Sequence, residues 1–311
     1  MLYMKILMTG ATGFVGTPLV HKLHKEGHEL VIVSRNSEKI RARFSFPVEI
    51  VKWDLLKGPL KSAIFKDLDA VVHLAGESIV AGRWTSKRKK ILCDSRVIAT
   101  ENLVKSIKLA SGTKPLTMVS TSAIGFYGNR GEELLTEYSS AGDDFLAHLC
   151  IEWEREARQV ADLNARLIQL RLGVILGPGG GALAQMMPAF SFYCGAQLGN
   201  GQQWMSWVHL DDVISAFCFA IDNQKIEGIF NVTAPYPVRN VDFTKLLSQA
   251  MGKKAFLPIP SVLLKIVLGE MAVTVLGSIK VSSEKLSSSG FHFQHPQLEE
   301  ALTHILSQRN H

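Results

Sequence analysis

The chain has 311 residues with 47% apolar content, an ordinary soluble composition that suits one large α/β domain or one domain plus a cap. Its formal charge of +6 comes from 34 basic and 28 acidic residues scattered without a long basic tail, which argues against nucleic acid as a partner. Cys93, Cys150, Cys194 and Cys218 form no C-x-x-C pair and have no His-rich neighbourhood, so neither a zinc site nor a disulfide framework is indicated, no metal is expected, and a reducing cytoplasm fits best.

The first residues form a short apolar run that turns at once into a glycine loop without a cleavage-site pattern, and this reads as a buried strand, not a signal peptide. Strands are expected at Met4 to Met8, Leu30 to Ser34, Glu49 to Trp53, Ala70 to Leu74, Leu116 to Ser120 and Leu167 to Leu172. Between them, Val15 to Glu26, Ser37 to Phe44, Ser86 to Lys108 and Phe145 to Leu163 have helical length and spacing, with Gly27 as a stop signal. That alternation predicts an α/β fold, a Rossmann-type doubly wound parallel sheet with a smaller C-terminal substrate lobe. The basic run Arg83 to Lys90 reads as a solvated helix face, with contact to an anionic ligand as the alternative.

After Arg171 the pattern changes to Gly- and Pro-rich segments, "GVILGPGGGA" and "LGNGQQW", as expected of a lobe that closes over a site. The division expected is 1–173 for the nucleotide-binding domain with 206–233 returning to it, and 174–205 with 234–311 for the lobe and a small C-terminal domain. The apolar stretch Val262 to Ile279 is broken by Lys265 and Glu270, so a packed or amphipathic helix is expected and no stable membrane insertion.

Gly10, Gly13 and Gly16 form G-x-x-G-x-x-G between an apparent strand and an apparent helix. Such a turn lets backbone N–H groups approach a pyrophosphate at the positive end of the helix. At the end of the second strand an NAD site usually places Asp or Glu for the ribose 2′-hydroxyl, whereas this chain has Ser34 and Arg35. Arg35 can clamp a 2′-phosphate, so NADP is expected over NAD. Asp54 is either an acceptor for the adenine amino group or an ordinary cap. The nucleotide-facing set is Thr9, Gly10, Thr12, Gly13, Phe14, Val15, Gly16, Ser34, Arg35 and Asp54.

"TGATGFVG", "VVHLAGES", "VSTSAIGFYG" and "WVHLDDV" together resemble the extended short-chain dehydrogenase/reductase superfamily over about residues 4–235. "GRWTSKRKKILCDSR", "DDFLAHLCIEWE" and a tail reading "LLKIVLGEMA" and "GFHFQHPQLEEAL" narrow the resemblance to atypical NAD(P)-dependent epimerase/dehydratase-like proteins, the sugar-nucleotide epimerase-like group with its own small C-terminal domain. The resemblance adds Leu74, Ala75 and Gly76 to the cofactor border and implies a catalytic set of Asn, Ser, Tyr and Lys. The serine matches at Ser122, where it would orient a substrate oxygen. The Tyr-x-x-x-Lys pair does not match, since Leu146 and Cys150 stand in those places, and Arg96 stands for the asparagine.

Losing that tyrosine removes the group that exchanges a proton near neutral pH. Tyr127 and Cys150 are the candidate substitutes, against the alternatives of a packed phenol and a small buried thiol. For substrate, Trp204 and Met205 replace the arginine that nucleotide-sugar enzymes of this kind commonly carry. Arg83, Trp84, Arg96 and Trp204 are the candidate substrate contacts, with Trp207 and Phe126 as further walls and Arg239 as another anion clamp. His209 and Asp211 read as a structural helix start with Asp211 as N-cap, and His73 as a core histidine. These features point to an NADP-dependent oxidoreductase on a small molecule. A sugar-nucleotide epimerase and a non-catalytic NADPH-responsive module are the alternatives. By analogy with the superfamily, a homodimer through the helices at 86–108 and 145–163 is expected.

Overall fold

Strands buried on both faces must be apolar on both, as the central ones here are; seven strands pair in parallel in the computed structural model, which describes residues 3–61, 63–110, 115–191, 195–253 and 256–308. They are β1 (Lys5–Thr9), β2 (Glu29–Ser34), β3 (Glu49–Lys52), β4 (Ala70–His73), β5 (Leu116–Ala123), β6 (Ala165–Leu172) and β7 (Gly228–Val232). Their order is β7-β6-β5-β4-β1-β2-β3, so the winding reverses direction between β1 and β4.

Alternation along each strand builds two cores. Ile6 and Met8 of β1, Leu30 and Ile32 of β2 and Ile168 and Leu170 of β6 face one layer. There they meet Leu19 and Leu23 of α1 (Gly16–Lys25) and a helix further along the chain at Leu210–Asp222, through Val213, Phe217 and Ile221. Leu7, Val31, Val71 and Leu167 face the other layer, against a helix at Val97–Ala110 through Leu103, Val104 and Ile107, and against Ala157 at the end of a helix at Phe145–Arg158. Each sheet face thus buries one apolar side of a helix pair, the three-layer arrangement of a doubly wound sheet.

In chain order the remaining helices are α2 (Ser37–Arg43), α3 (Ser86–Asp94), α4 (Val97–Ala110), α5 (Phe145–Arg158), α6 (Gly181–Ser191), α7 (Leu210–Asp222), α8 (Asn240–Ala250), α9 (Ser261–Leu268), α10 (Val273–Leu276), α11 (Glu284–Ser288) and α12 (Leu298–Ser307). A third core joins α6, α8 and α12 through Leu183, Phe243, Leu247 and Leu302, and it includes the buried Trp207. The segment Trp207–His209 pairs with Val174–Gly177, which brings the chain back from the lobe to α7 and β7.

The single helix expected over 86–108 is two. Ser95 turns its hydroxyl back onto the Leu92 carbonyl at 3.1 Å, and the Arg96 amide takes the Cys93 carbonyl at 3.0 Å, an i to i−3 bond that tightens the turn and redirects the chain. Likewise the helix expected to reach Leu163 ends at Arg158 and continues as a 3₁₀ turn, Gln159–Leu163, closed by Asn164 at φ 55°. Among the described residues no helix is long and apolar enough to cross a membrane. Cys194 lies outside the described residues; Cys93, Cys150 and Cys218 are free thiols.

Candidate functional site

In an open doubly wound sheet, a ligand crevice forms beyond the strand ends where the winding reverses. Here Thr9 at the end of β1 lies opposite His73 at the end of β4. The Thr9 hydroxyl is 2.8 Å from His73 Nδ1, and His73 Nε2 is 2.9 Å from the Thr100 hydroxyl, all three side chains being buried. Thr100 donates its own proton to the Arg96 carbonyl at 2.6 Å, so it must accept from a protonated Nε2. Thr9 therefore donates to Nδ1, and its oxygen accepts from the amides of Leu74 and Ala75, each at 3.2 Å. The histidine is neutral, and burial pushes it down to about 4.

This chain of hydrogen bonds presses the loop after β4 onto the glycine crossover. Gly10 has φ 70°, and a Cβ there would lie 2.7 Å from the Leu74 carbonyl carbon. A Cβ on Gly16 would lie 2.2 Å from the Gly10 carbonyl oxygen. Only glycine lets β1 turn so sharply into α1. The amides of Phe14, Val15 and Gly16 donate to no acceptor among the described residues, the first turn of α1 carries no acidic side chain, and Val15 provides no side-chain cap. Three free N–H groups at the positive end of a ten-residue helix fit a diphosphate.

Two members of the expected nucleotide set act indirectly. The Thr9 hydroxyl is committed inside the strand-end network. The Phe14 ring lies beneath the glycine-rich hairpin, where a Cβ on Gly180 would meet it at 2.3 Å and one on Gly181 at 2.7 Å, so Phe14 offers the crossover only its backbone.

At the end of β2, Ser34 closes a local turn with Asn36, and Asn36 caps α2 by accepting from the Lys39 amide at 3.1 Å. Arg35 is exposed and makes no ion pair among the described residues. Arg43, which the sequence reading missed, reaches from the end of α2 to the Thr17 hydroxyl in the first turn of α1, at 3.4 Å, and it too is exposed. Its only sequence signal is a basic residue in the last turn of α2. Asp54 caps the 3₁₀ turn Leu55–Lys57 by accepting from the Leu56 amide at 3.1 Å.

The three expected catalytic side chains sit behind the site, inside one buried network. Ser122, 1% exposed, donates to Glu154 Oε1 at 2.6 Å. Glu154 is gripped by Arg171 through two bonds of 2.8 Å, and Arg171 also donates to the Tyr127 hydroxyl at 3.0 Å while stacking over Phe126 at 3.4 Å. The Tyr127 hydroxyl donates a hydrogen bond to Asn231 Oδ1 at 2.7 Å, and burial raises its pKa above the ordinary value. Cys150 is buried 3.7 Å from the Ala123 carbonyl, and burial pushes its thiol up to about 12. Tyr127, expected as a proton donor, is held by two partners without surface, and Cys150, the other candidate, is a buried thiol that keeps its proton. Ser122, expected to orient a substrate oxygen, commits its hydroxyl proton to Glu154.

Leu146, in the place of the tyrosine, packs against Gly125 and joins an apolar cluster with Leu149, Trp84, Phe145 and, from the C-terminal segment, Met271 and Val273. An apolar seam thus occupies the ground where a phenol and an ammonium would exchange protons. Trp84, expected as a substrate contact, belongs to this seam, with its indole N–H on the Ile79 carbonyl at 2.8 Å. Trp207 is fully buried in the third core.

Arg96 stacks over Trp153 and donates to the Glu77 carbonyl at 2.9 Å, its guanidinium lying where a Cβ on Gly76 would contact it at 3.2 Å. It braces the loop that carries Gly76 and Glu77. Arg83 donates to the Ile266 carbonyl at 2.8 Å, and Arg239 pairs with Glu132 at 3.0 Å while covering Trp204, whose indole also donates to Glu132. The basic run is largely matched by carboxylates, Arg88 with Glu77, Lys89 with Glu270 and Lys90 with Asp94. An open cavity of about 680 Å³ lies between Asn129 of the nucleotide half and Gln203, Lys265, Glu270 and Val273 of the lobe.

The sequence signature of the NAD dependent epimerase/dehydratase family matches residues 6–233, and that of a domain of unknown function, DUF1731, matches 259–305. The epimerase family protein YfhF of Bacillus subtilis is 36% identical over 307 residues, covering 98% of this chain and 99% of its own. The chloroplastic homolog of epimerase family protein SDR39U1 from Arabidopsis thaliana is 36% identical, covering 97% of this chain and 87% of its own. The crystal structure of human epimerase family protein SDR39U1, isoform 2, with NADPH superposes with a TM-score of 0.86 at 31% identity, over 98% of this chain and 99% of that one.

Two outcomes follow from the buried groups. Because His73 falls to about 4 when folded, the unfolded chain binds more protons between that value and the ordinary histidine range near 6.5. Stability is therefore full above about pH 6.5 and falls by up to about 1.4 kcal/mol per pH unit on acidification. Urea midpoints at pH 6.5, 5.5 and 4.5 check this, and His73→Leu should flatten the slope. Arg171→Met, which strands Glu154, should cost about 3–5 kcal/mol in urea melts, and adding Glu154→Leu should restore part of the loss.

Proposed function

Because the chain belongs to the NAD dependent epimerase/dehydratase family, we propose that it binds NADP(H) and acts as an oxidoreductase on a small molecule, with the proton supplied by that molecule or by water. NAD(P) binding comes with the family. The preference for the 2′-phosphate rests on one observation: two exposed arginines, Arg35 and Arg43, flank the ribose side of the crossover, and Ser34 stands where a carboxylate would repel that phosphate. The NADPH in the human relative's crystal structure supports the same reading.

In this reading the amides of Phe14, Val15 and Gly16 hold the diphosphate, Arg35 and Arg43 hold the 2′-phosphate, and the Leu74–Gly76 backbone borders the cofactor. The bound nucleotide supplies a hydride or accepts one. The side chains near the expected reaction centre then exclude water and hold the loops; none of Ser122, Tyr127 and Cys150 moves a proton. That absence removes about two to four orders of magnitude of acid–base assistance, which favours substrates needing little of it, such as quinones and enones.

The apolar seam around Leu146 favours a second reading, a nucleotide-responsive module whose C-terminal segment closes over bound NADP(H) through Met271 and Val273 without turnover. The sugar-nucleotide epimerase reading has less support, because Arg239, the arginine beside Trp204, is neutralised by Glu132.

At equal concentration NADPH should raise Tm more than NADH does, and the double variant Arg35→Ala with Arg43→Ala should erase the difference; equal protection of the native chain would overturn the 2′-phosphate assignment. NADPH oxidation against aldehydes, ketones, quinones and enones should reveal an acceptor whose rate survives in folded Tyr127→Phe and Cys150→Ala. Loss of the rate in either variant contradicts the solvent or substrate proton, and silence from the whole panel passes the claim to the non-catalytic module.

A further inference from the structure

At the head of α7, three histidines and an aspartate from distant parts of the sequence meet in one place. His209 ends the strand before α7, Asp211 lies in the first turn of that helix, His295 precedes α12 and His304 lies within it. One ligand atom from each of the four falls within 4.8 Å of the others. The imidazole rings of His209 and His295 lie 3.9 Å apart and those of His295 and His304 4.5 Å apart.

We propose that His209, His295, His304 and Asp211 bind a divalent transition-metal ion, Zn²⁺ by the character of the donor set, which pins the C-terminal helix α12 to the head of α7. Three imidazoles and a carboxylate are the donors that such ions take, and Mg²⁺ and Ca²⁺ do not. Donors roughly 2 Å from a tetrahedral ion stand about 3.3 Å from one another. With His209 bound through Nε2, two of the spacings found are close to that, 3.2 Å from His304 Nδ1 to His209 Nε2 and 3.7 Å from His295 Nε2 to Asp211 Oδ2, and one atom from each of the four residues lies within 4.8 Å of the rest.

The surroundings hold the ligands in place. The buried Asp212 carboxylate accepts from the backbone amides of Gln294 at 2.6 Å and His295 at 3.1 Å, fixing the segment that presents His295. Gln308 contacts His304 Nε2 at 3.2 Å from outside, which leaves Nδ1 facing His209. Such outer contacts orient metal ligands. Without metal, His209 Nδ1 accepts from the Asp211 amide at 3.0 Å, so its Nε2 carries a proton that coordination through that atom releases. His209 is buried while Asp211 is half open, so an ion has a route in from solvent.

The reading by cysteine spacing missed this set because its members span 95 residues between His209 and His304 and no local motif joins them. The test uses the untagged full chain, stripped with chelator and titrated with ZnCl₂ by calorimetry. One equivalent should bind, Tm should rise, and Co²⁺ in its place should show the visible absorption of a four-coordinate site. His304→Ala and His295→Gln, both at partly exposed positions, should each weaken binding by about 100-fold or more while leaving the NADPH-induced thermal shift intact. Absence of saturable binding, or affinity unchanged in both variants, would overturn the site, as would MgCl₂ matching the effect of ZnCl₂.

Discussion

The hydrogen bond between Thr9 and His73 holds the switch point of the sheet together. It joins the ends of β1 and β4, the two strands between which the winding changes direction, and through the oxygen of Thr9 it also fixes the amides of Leu74 and Ala75. A neutral buried imidazole serves because it is donor and acceptor at once, and Thr100 on α4 satisfies its other nitrogen. With the β4 loop fixed there, Gly10 and Gly16 have no room for a side chain, and the crossover leaves its amides facing outward. The binding potential of α1 thus arises from a polar network that touches no ligand.

The second constraint is subtraction. The Glu154–Arg171 pair, with Ser122, Tyr127 and Asn231 around it, is satisfied within itself, which is how a buried charge pair persists in an apolar interior. That completeness removes its members from proton chemistry. In front of it, Leu146 gives the C-terminal segment an apolar surface to close on. The crossover geometry fits a nucleotide, while Leu146 and Cys150 stand where the family resemblance would put a tyrosine and a lysine.

Much of the fold was legible in the sequence because parallel strands buried on both faces are unbroken apolar runs, and a glycine triplet after such a run has a local meaning. The break at Ser95 was not, since helical spacing continues through it and only a hydroxyl turned back on Leu92 marks it. The tight turn at Gly10 and Gly16 was legible because it is a local feature of the backbone. The surroundings of Ser122 and Tyr127 were not legible, because they depend on long-range partners: the Ser122–Glu154 bond spans 32 residues and the Tyr127–Asn231 bond 104. Arg43 escaped notice because its closeness to the crossover comes from how α2 packs beside α1, which no motif records.

A crystal structure of the chain grown with NADPH tests the central claim most directly. The account predicts the diphosphate against the amides of Phe14, Val15 and Gly16, the 2′-phosphate within reach of Arg35 and Arg43, and the Thr9–His73 bond unchanged. A nucleotide bound elsewhere, or one in the crevice with its diphosphate away from those amides, would contradict it.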